Sequence, residues 1–138
     1  MILLDAAPLI AFFTGDAGGS ETRSLVNARE PVAVTVVNLA EVFDVLNRAY
    51  GVSDSEMRAT VEPLIGDPLG VVSPTAEAAR RAGALRARHY RRRTCELSLA
   101  DCFLLAAVGP DDRVATSDGV VLRVAGVEGL GTVPIPAA

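Results

Sequence analysis

Short apolar runs alternate with longer segments of helical periodicity along the whole chain. The continuous apolar runs predict strands buried on both faces, at residues 1–4, 31–37, 70–73, 113–116 and 131–135. The segments between them predict helices, at 8–13, 20–29, 38–51, 53 to about 63, 74–90 and 98–108, with a short helix or turn at 118–125. This alternation predicts an α/β fold in three layers, α/β/α, with a mostly parallel central sheet.

Local signals support these boundaries and a single folding unit. Ser53 with Glu56, and Ser98 with Asp101, have the spacing of a capping box, in which a hydroxyl and an acid close the first turn of a helix. Pro74 is placed to open the long Ala- and Arg-rich helix. No repeat or linker interrupts the 138 residues, so we expect one domain covering 1–138.

Composition narrows the class of protein. Half of the residues are hydrophobic, which suffices for a core, and the net charge of −4 argues against a protein that simply coats nucleic acid. All 13 basic residues are Arg. We expect no membrane span and no signal peptide, because the apolar N-terminus lacks a basic region and is interrupted by Asp5. Two cysteines exclude a disulfide framework and a Cys-rich zinc site, so we expect a cytoplasmic protein.

Four acidic residues occupy the ends or beginnings of predicted elements. Asp5 follows the first strand and Asp118 lies two residues after the fourth. Glu41 and Asp101 lie near the start of helices. In an open parallel sheet, ligands bind beyond the carboxyl ends of the strands, so these four side chains are predicted to meet at one edge.

Two interpretations of these acids remain open. Each acid has a structural explanation as a helix cap or turn residue, with Asn38 and Ser98 as capping partners of Glu41 and Asp101. Against this, Asp5 and Asp101 lie in strongly apolar sequence, and buried carboxylates that lie close together repel unless a cation joins them. The chain has no Lys for that role. A hard divalent ion, Mg²⁺ or Mn²⁺, prefers oxygen ligands of this kind.

Segments 1–13, 36–49, 97–108 and 114–124 resemble, in order and spacing, the four acidic motifs of PIN-domain ribonucleases. The short single-domain form is most similar to the VapC-type toxins of bacterial toxin–antitoxin modules. Two positions depart from that pattern: Ala7 replaces a common Ser or Thr, and Gly119 begins a stretch without the usual aromatic residue. Neither departure removes a carboxylate.

The resemblance implies a Mg²⁺-dependent endoribonuclease, with Mn²⁺ as a substitute. Asp5 and Asp101 would bind the metal directly, and Asp118 directly or through water. Glu41 would complete the site or act as general base on the attacking water. The resemblance also implies a homodimer and a cognate antitoxin protein that blocks the acidic cleft.

A basic strip is the candidate surface for RNA. Residues 80–93 contain seven Arg, and Arg91, Arg92 and Arg93 directly precede the segment that carries Asp101. We interpret these three as candidate phosphate contacts, with Ser117 as a candidate hydrogen-bond donor to a phosphate or a metal ligand. A solvated helix face followed by a charged loop explains the same pattern.

Two other functions of proteins with this class of sheet require a functional group that this chain lacks. A haloacid-dehalogenase-like phosphotransferase needs a second Asp where Ala7 stands, and a response-regulator receiver needs a Lys near the last strand. A nuclease acting on DNA flaps is usually longer than 138 residues. The remaining alternative is a non-catalytic α/β binding module whose acids only cap helices.

Overall fold

A computed structural model describes residues 1–137 and contains, within them, five strands and seven α-helices. The strands are β1 (Ile2–Leu4), β2 (Val32–Thr35), β3 (Leu69–Val72), β4 (Arg113–Thr116) and β5 (Gly131–Pro134). The helices are α1 (Ala6–Thr14), α2 (Gly19–Val26), α3 (Val36–Arg48), α4 (Asp54–Thr60), α5 (Ala76–His89), α6 (Leu99–Ala107) and α7 (Gly119–Val127), with a 3-10 turn at Glu62–Leu64. Among these residues no helix is long and apolar enough to cross a membrane.

The strands form one sheet in the order β3-β2-β1-β4-β5, and every neighbouring pair is parallel. The central strand β1 is buried throughout, and its Leu3 pairs with Ala33 on one side and Val114 on the other. Because all the strands run the same way, their carboxyl ends lie along one edge of the sheet. The predicted parallel sheet is confirmed.

Side chains of β1 alternate between two separate cores. Ile2 and Leu4 pack with residues of α1 to α4, such as Val42 of α3. Leu3 faces the opposite layer and packs with residues of α5 to α7, such as Leu105 of α6. The sheet is therefore covered on both faces, as the continuous apolar strands require, and the predicted three-layer α/β/α arrangement is confirmed.

The boundary error that bears on the acids falls at the end of the second strand. Strand β2 ends at Thr35 rather than at residue 37, and Val36 and Val37 already belong to α3. Their β-branched side chains favour a strand, but the Thr35 hydroxyl accepts the Asn38 N–H and starts the helix there. Asn38 is consequently not the capping residue of α3, and its proposed pairing with Glu41 as a cap is wrong.

Other boundaries shift by up to three residues, with the largest shifts at the ends of α2 and α3. Helix α1 begins at Ala6 instead of Pro8, because Asp5 caps it. Helix α5 begins at Ala76 with Thr75 as its cap, instead of at Pro74. Residues Gly119–Val127 form a regular helix, which resolves the segment left open as helix or turn. These shifts keep each acid at the start of its helix or within its first two turns.

Candidate functional site

Asp5 lies where the central strand meets the first helix. Its backbone N–H extends the sheet ladder by donating to the Ala115 carbonyl (3.0 Å), and its carboxylate Oδ1 accepts the Ala6 N–H (2.7 Å). Only 5% of the residue is exposed. An acid in this place caps α1 and favours its helix dipole, but capping requires no such burial.

Two further side chains hold the Asp5 carboxylate. The Thr116 hydroxyl donates to Oδ2 (2.6 Å), and the Asn38 amide Nδ2 donates to Oδ1 (3.2 Å). The Thr35 hydroxyl donates in turn to Asn38 Oδ1 (2.5 Å). Thr116 and Asn38 are fully buried. Sequence reasoning missed Asn38 in this role; a polar residue between apolar positions on the inner face of an amphipathic helix was the available signal.

Burial has a direct consequence for the ionisation of Asp5. Loss of water raises the pKa of its carboxyl to about 6, in spite of the lowering effect of the Thr116 hydrogen bond. The negative charges of Asp101 and Glu41 contribute to this increase in the pKa of Asp5. The carboxylate is thus rigidly held but carries its charge at a cost near neutral pH.

Asp101 is the N3 residue of a complete capping box. Its Oδ2 accepts the Ser98 N–H (2.8 Å), and the Ser98 hydroxyl accepts the Asp101 N–H (3.0 Å). Loss of water and the charge of Asp118 nevertheless raise the pKa of Asp101 above its ordinary value, against the lowering effect of the Ser98 hydrogen bonds. Within residues 1–137, no protein donor engages Oδ1 of Asp101.

Asp118 and Glu41 complete the group at the same edge. Asp118 caps α7 by accepting the Val120 N–H (2.6 Å), while its own N–H donates to the Thr116 hydroxyl (3.0 Å). Thr116 therefore connects Asp118 to Asp5. Glu41 lies in the second turn of α3 and is exposed, and its pKa is raised by partial loss of water and by the charges of Asp101 and Asp44.

The charges of the four predicted acids interact with one another in the structure. The charge of Asp101 raises the pKa values of Asp5 and Glu41, and the charge of Asp118 raises the pKa of Asp101. No three Asp, Glu, His or Cys side chains in the described part of the chain lie close enough to hold a metal ion between them. These two observations are compatible with Mg²⁺, which usually keeps several waters and takes one or two carboxylates. The oxygen-only donors and their mutual repulsion fit such an ion.

The other predicted site residues are Ser117, which is next to Asp118 in the chain, and three arginines of the basic strip. Arg91, Arg92 and Arg93 are exposed in a tight turn that is closed by hydrogen bonds between Arg91 and Cys95. The Arg91 guanidinium donates to the carbonyl of Tyr90 (2.7 Å). Ser117 is half-buried between Thr116 and Asp118.

A family model described as the PIN domain matches residues 2–126 of the chain. A comparison with curated proteins found no match. Among solved structures, the chain is similar to the sarcin–ricin-loop-cleaving toxin VapC20 of Mycobacterium tuberculosis, at 22% identity and a TM-score of 0.74, with 99% of this chain and 100% of that one covered.

Two further solved structures are similar over the same extent. One is a toxin–antitoxin complex from Klebsiella pneumoniae, at 23% identity and a TM-score of 0.68, with 96% of each chain covered. The other is a DNA-bound VapBC from Salmonella typhimurium, at 20% identity and a TM-score of 0.66, again with 96% of each chain covered. At these identities the similarity shows a shared fold.

Proposed function

Because this chain belongs to the PIN domain family, we propose that it is a metal-dependent endoribonuclease and the toxin of a toxin–antitoxin pair. One observation carries the proposal: a buried carboxylate, Asp5, whose pKa is raised to about 6, lies among three further acids at the carboxyl edge of a parallel sheet. A group of acids at this edge, three of them with raised pKa values, is typical of a functional site.

The proposed roles follow from how each acid is held. Asp5 and Asp101 would be the direct Mg²⁺ ligands, because hydrogen bonds fix both carboxylates. Asp118 would bind the ion through water, because no three such side chains in the described part of the chain lie close enough to share it. The ion supplies activation of water and compensates charge on the scissile phosphate. Glu41 makes no capping bond and has a raised pKa, which suits a group that orients the attacking water and accepts its proton.

Partners are part of the same proposal. The Arg91–Arg93 turn and Ser117 contact the RNA backbone next to the acids, since charge-assisted contacts to phosphate account for most sequence-independent affinity. Similar folds include toxins described with an antitoxin, which supports a cognate antitoxin protein for this chain. A homodimer and a cytoplasmic location complete the proposal.

A non-catalytic binding module remains the second candidate, and a specific observation favours it. Asp5, Asp101 and Asp118 each accept a backbone N–H at the start of a helix. If capping were their whole purpose, divalent ions would have little effect on the protein.

The deciding experiment measures RNA cleavage and thermal stability with and without Mn²⁺ or Mg²⁺. We expect cleavage only with the ion, loss of cleavage in Asp5→Asn, and full cleavage in the control Asp54→Asn, whose exposed carboxylate pairs with Arg58. We also expect Mn²⁺ at about 100 times its Kd to stabilise the wild type by about 2.7 kcal/mol. Cleavage that persists in excess chelator would overturn the metal mechanism.

A further inference from the structure

A cavity opens over the carboxyl ends of β2 and β3. It has a volume of about 230 Å³ and lies between the start of α5 and the outer side of α6. Its lining includes Thr35, Ser73, Thr75, Arg81 and Phe103. Of these residues only Thr35 also supports the acidic site, through its hydrogen bond to Asn38.

The lining combines an aromatic side chain, hydroxyl groups, one carboxylate (Glu77) and one cation (Arg81). Phe103 is half-buried and leaves part of its ring accessible to the cavity. In the described part of the chain Arg81 makes no ion pair, whereas its neighbour Arg80 is paired with Glu77 (2.6 Å) and does not line the cavity. An aromatic ring with a few hydrogen-bonding groups is the chemistry by which proteins hold an unstacked base of single-stranded RNA.

Two successive hydrogen bonds join the wall of the cavity to the carboxylate of Asp5. Thr35 forms part of this wall and donates to Asn38, which donates to the Asp5 carboxylate. Neighbouring strands are about 4.8 Å apart, so the ends of β2 and β3 lie roughly 5 and 10 Å from the end of β1. A nucleotide next to a phosphate held at the acids is therefore within reach of the cavity.

We propose that this cavity binds the base of one nucleotide adjacent to the cleaved phosphate, with Phe103 stacking on the base and Arg81 and the hydroxyls of Ser73 and Thr75 contacting its polar edge. The proposal depends on the proposed RNA-cleaving function. According to this proposal, residues of α5 and α6 determine which base is preferred next to the cleavage site. The acids that perform the chemistry are separate from them.

The test begins with binding in the absence of cleavage. The four nucleoside 5′-monophosphates are titrated into the full chain in excess chelator, and NMR signals of Ser73 and Phe103 are followed. We expect shifts at both residues that differ between bases, and a loss of affinity on the order of tenfold in Arg81→Gln and in Phe103→Leu. The control Arg58→Gln, with the same charge change at an exposed position of α4 outside the cavity, should bind as the wild type does.

The second measurement is the base preference of cleavage in a random RNA pool. Arg81→Gln should broaden the base preference next to the cut, and the control Arg58→Gln should not. Absence of shifts at Ser73 and Phe103 at millimolar monophosphate, or equal effects of the two Arg substitutions, overturns the proposal. So does a change from dimer to monomer in Arg81→Gln with monophosphate binding unaltered, because the cavity would then be a protein interface.

The two measurements separate this proposal from the proposed function. If the monophosphates shift Phe103 but RNA is never cleaved, the base site stands and the nuclease assignment fails. If RNA is cleaved with the ion but the monophosphates leave Phe103 unchanged, the nuclease assignment stands and the base site fails.

Discussion

Two capping boxes in this protein have nearly the same geometry and different surroundings. At the start of α4, Glu56 accepts the Ser53 N–H at 2.7 Å, and at the start of α6, Asp101 accepts the Ser98 N–H at 2.8 Å. The hydrogen bonds of Ser53 lower the pKa of Glu56, whereas burial and the charge of Asp118 raise that of Asp101. Capping and a functional role are therefore not alternatives, because the neighbourhood of the cap decides whether the acid does more.

The strongest test of this difference replaces each of the two acids, Asp101 and Glu56, by its amide. Asp101→Asn should lower metal-dependent RNA cleavage on the order of 100-fold or more, because it removes a proposed ligand while the amide oxygen still accepts the Ser98 N–H. Glu56→Gln should leave cleavage unchanged within about twofold, since it makes an equivalent change at an exposed helix start. Initial rates on a fluorogenic RNA test both. Equal losses in the two variants would contradict the distinction.

A second prediction extends the comparison to the cap of α1 and concerns stability. The pKa of Asp5 in the folded protein, about 6, lies above its ordinary value of 3.8. Between these pH values the folded state holds more protons than the unfolded state, so stability falls as pH rises through this window and stays reduced above it. In chelator at pH 7.5, Asp5→Asn should therefore be more stable than the wild type, by at most about 3 kcal/mol.

Urea unfolding of both proteins at pH 4 and pH 7.5 measures this effect. The advantage of Asp5→Asn should disappear at pH 4, where the wild-type carboxyl is protonated in the folded state. A wild type that is the more stable protein at pH 7.5 in chelator would show that the Asp5 charge is already compensated by its hydrogen bonds.

The smallest expected effects come from removing the serine hydroxyl of each capping box. Ser53→Ala and Ser98→Ala should each cost about 1 kcal/mol of stability, the usual value of a capping side chain. Only Ser98→Ala should also slow cleavage, by a few-fold, because Asp101 then loses one of the groups that fix its helix start. If Ser53→Ala slows cleavage equally, the effect is one of overall stability.

Much of the fold and the acidic edge was predictable from local sequence. The buried strands are too short and too continuously apolar to be helices, and the acids follow them at fixed offsets, so a parallel sheet places Asp5 and Asp118 at one edge. The start of α3 was not predictable in this way, because Val36 and Val37 favour a strand and the outcome depends on the Thr35 cap. The cavity beside Phe103 was also not predictable, since it depends on how α5 packs against α6.

The position of β1 at the centre of the sheet has a consequence for the protein during its synthesis. The first strand of the chain finds one of its two neighbours only in β4, which begins at Arg113, and Asp118 comes later still. A nascent chain that has not yet reached this point has an incomplete sheet and lacks one acid of the four. The four acids can therefore come together only after the chain has been synthesised as far as Asp118 and this segment has left the ribosome.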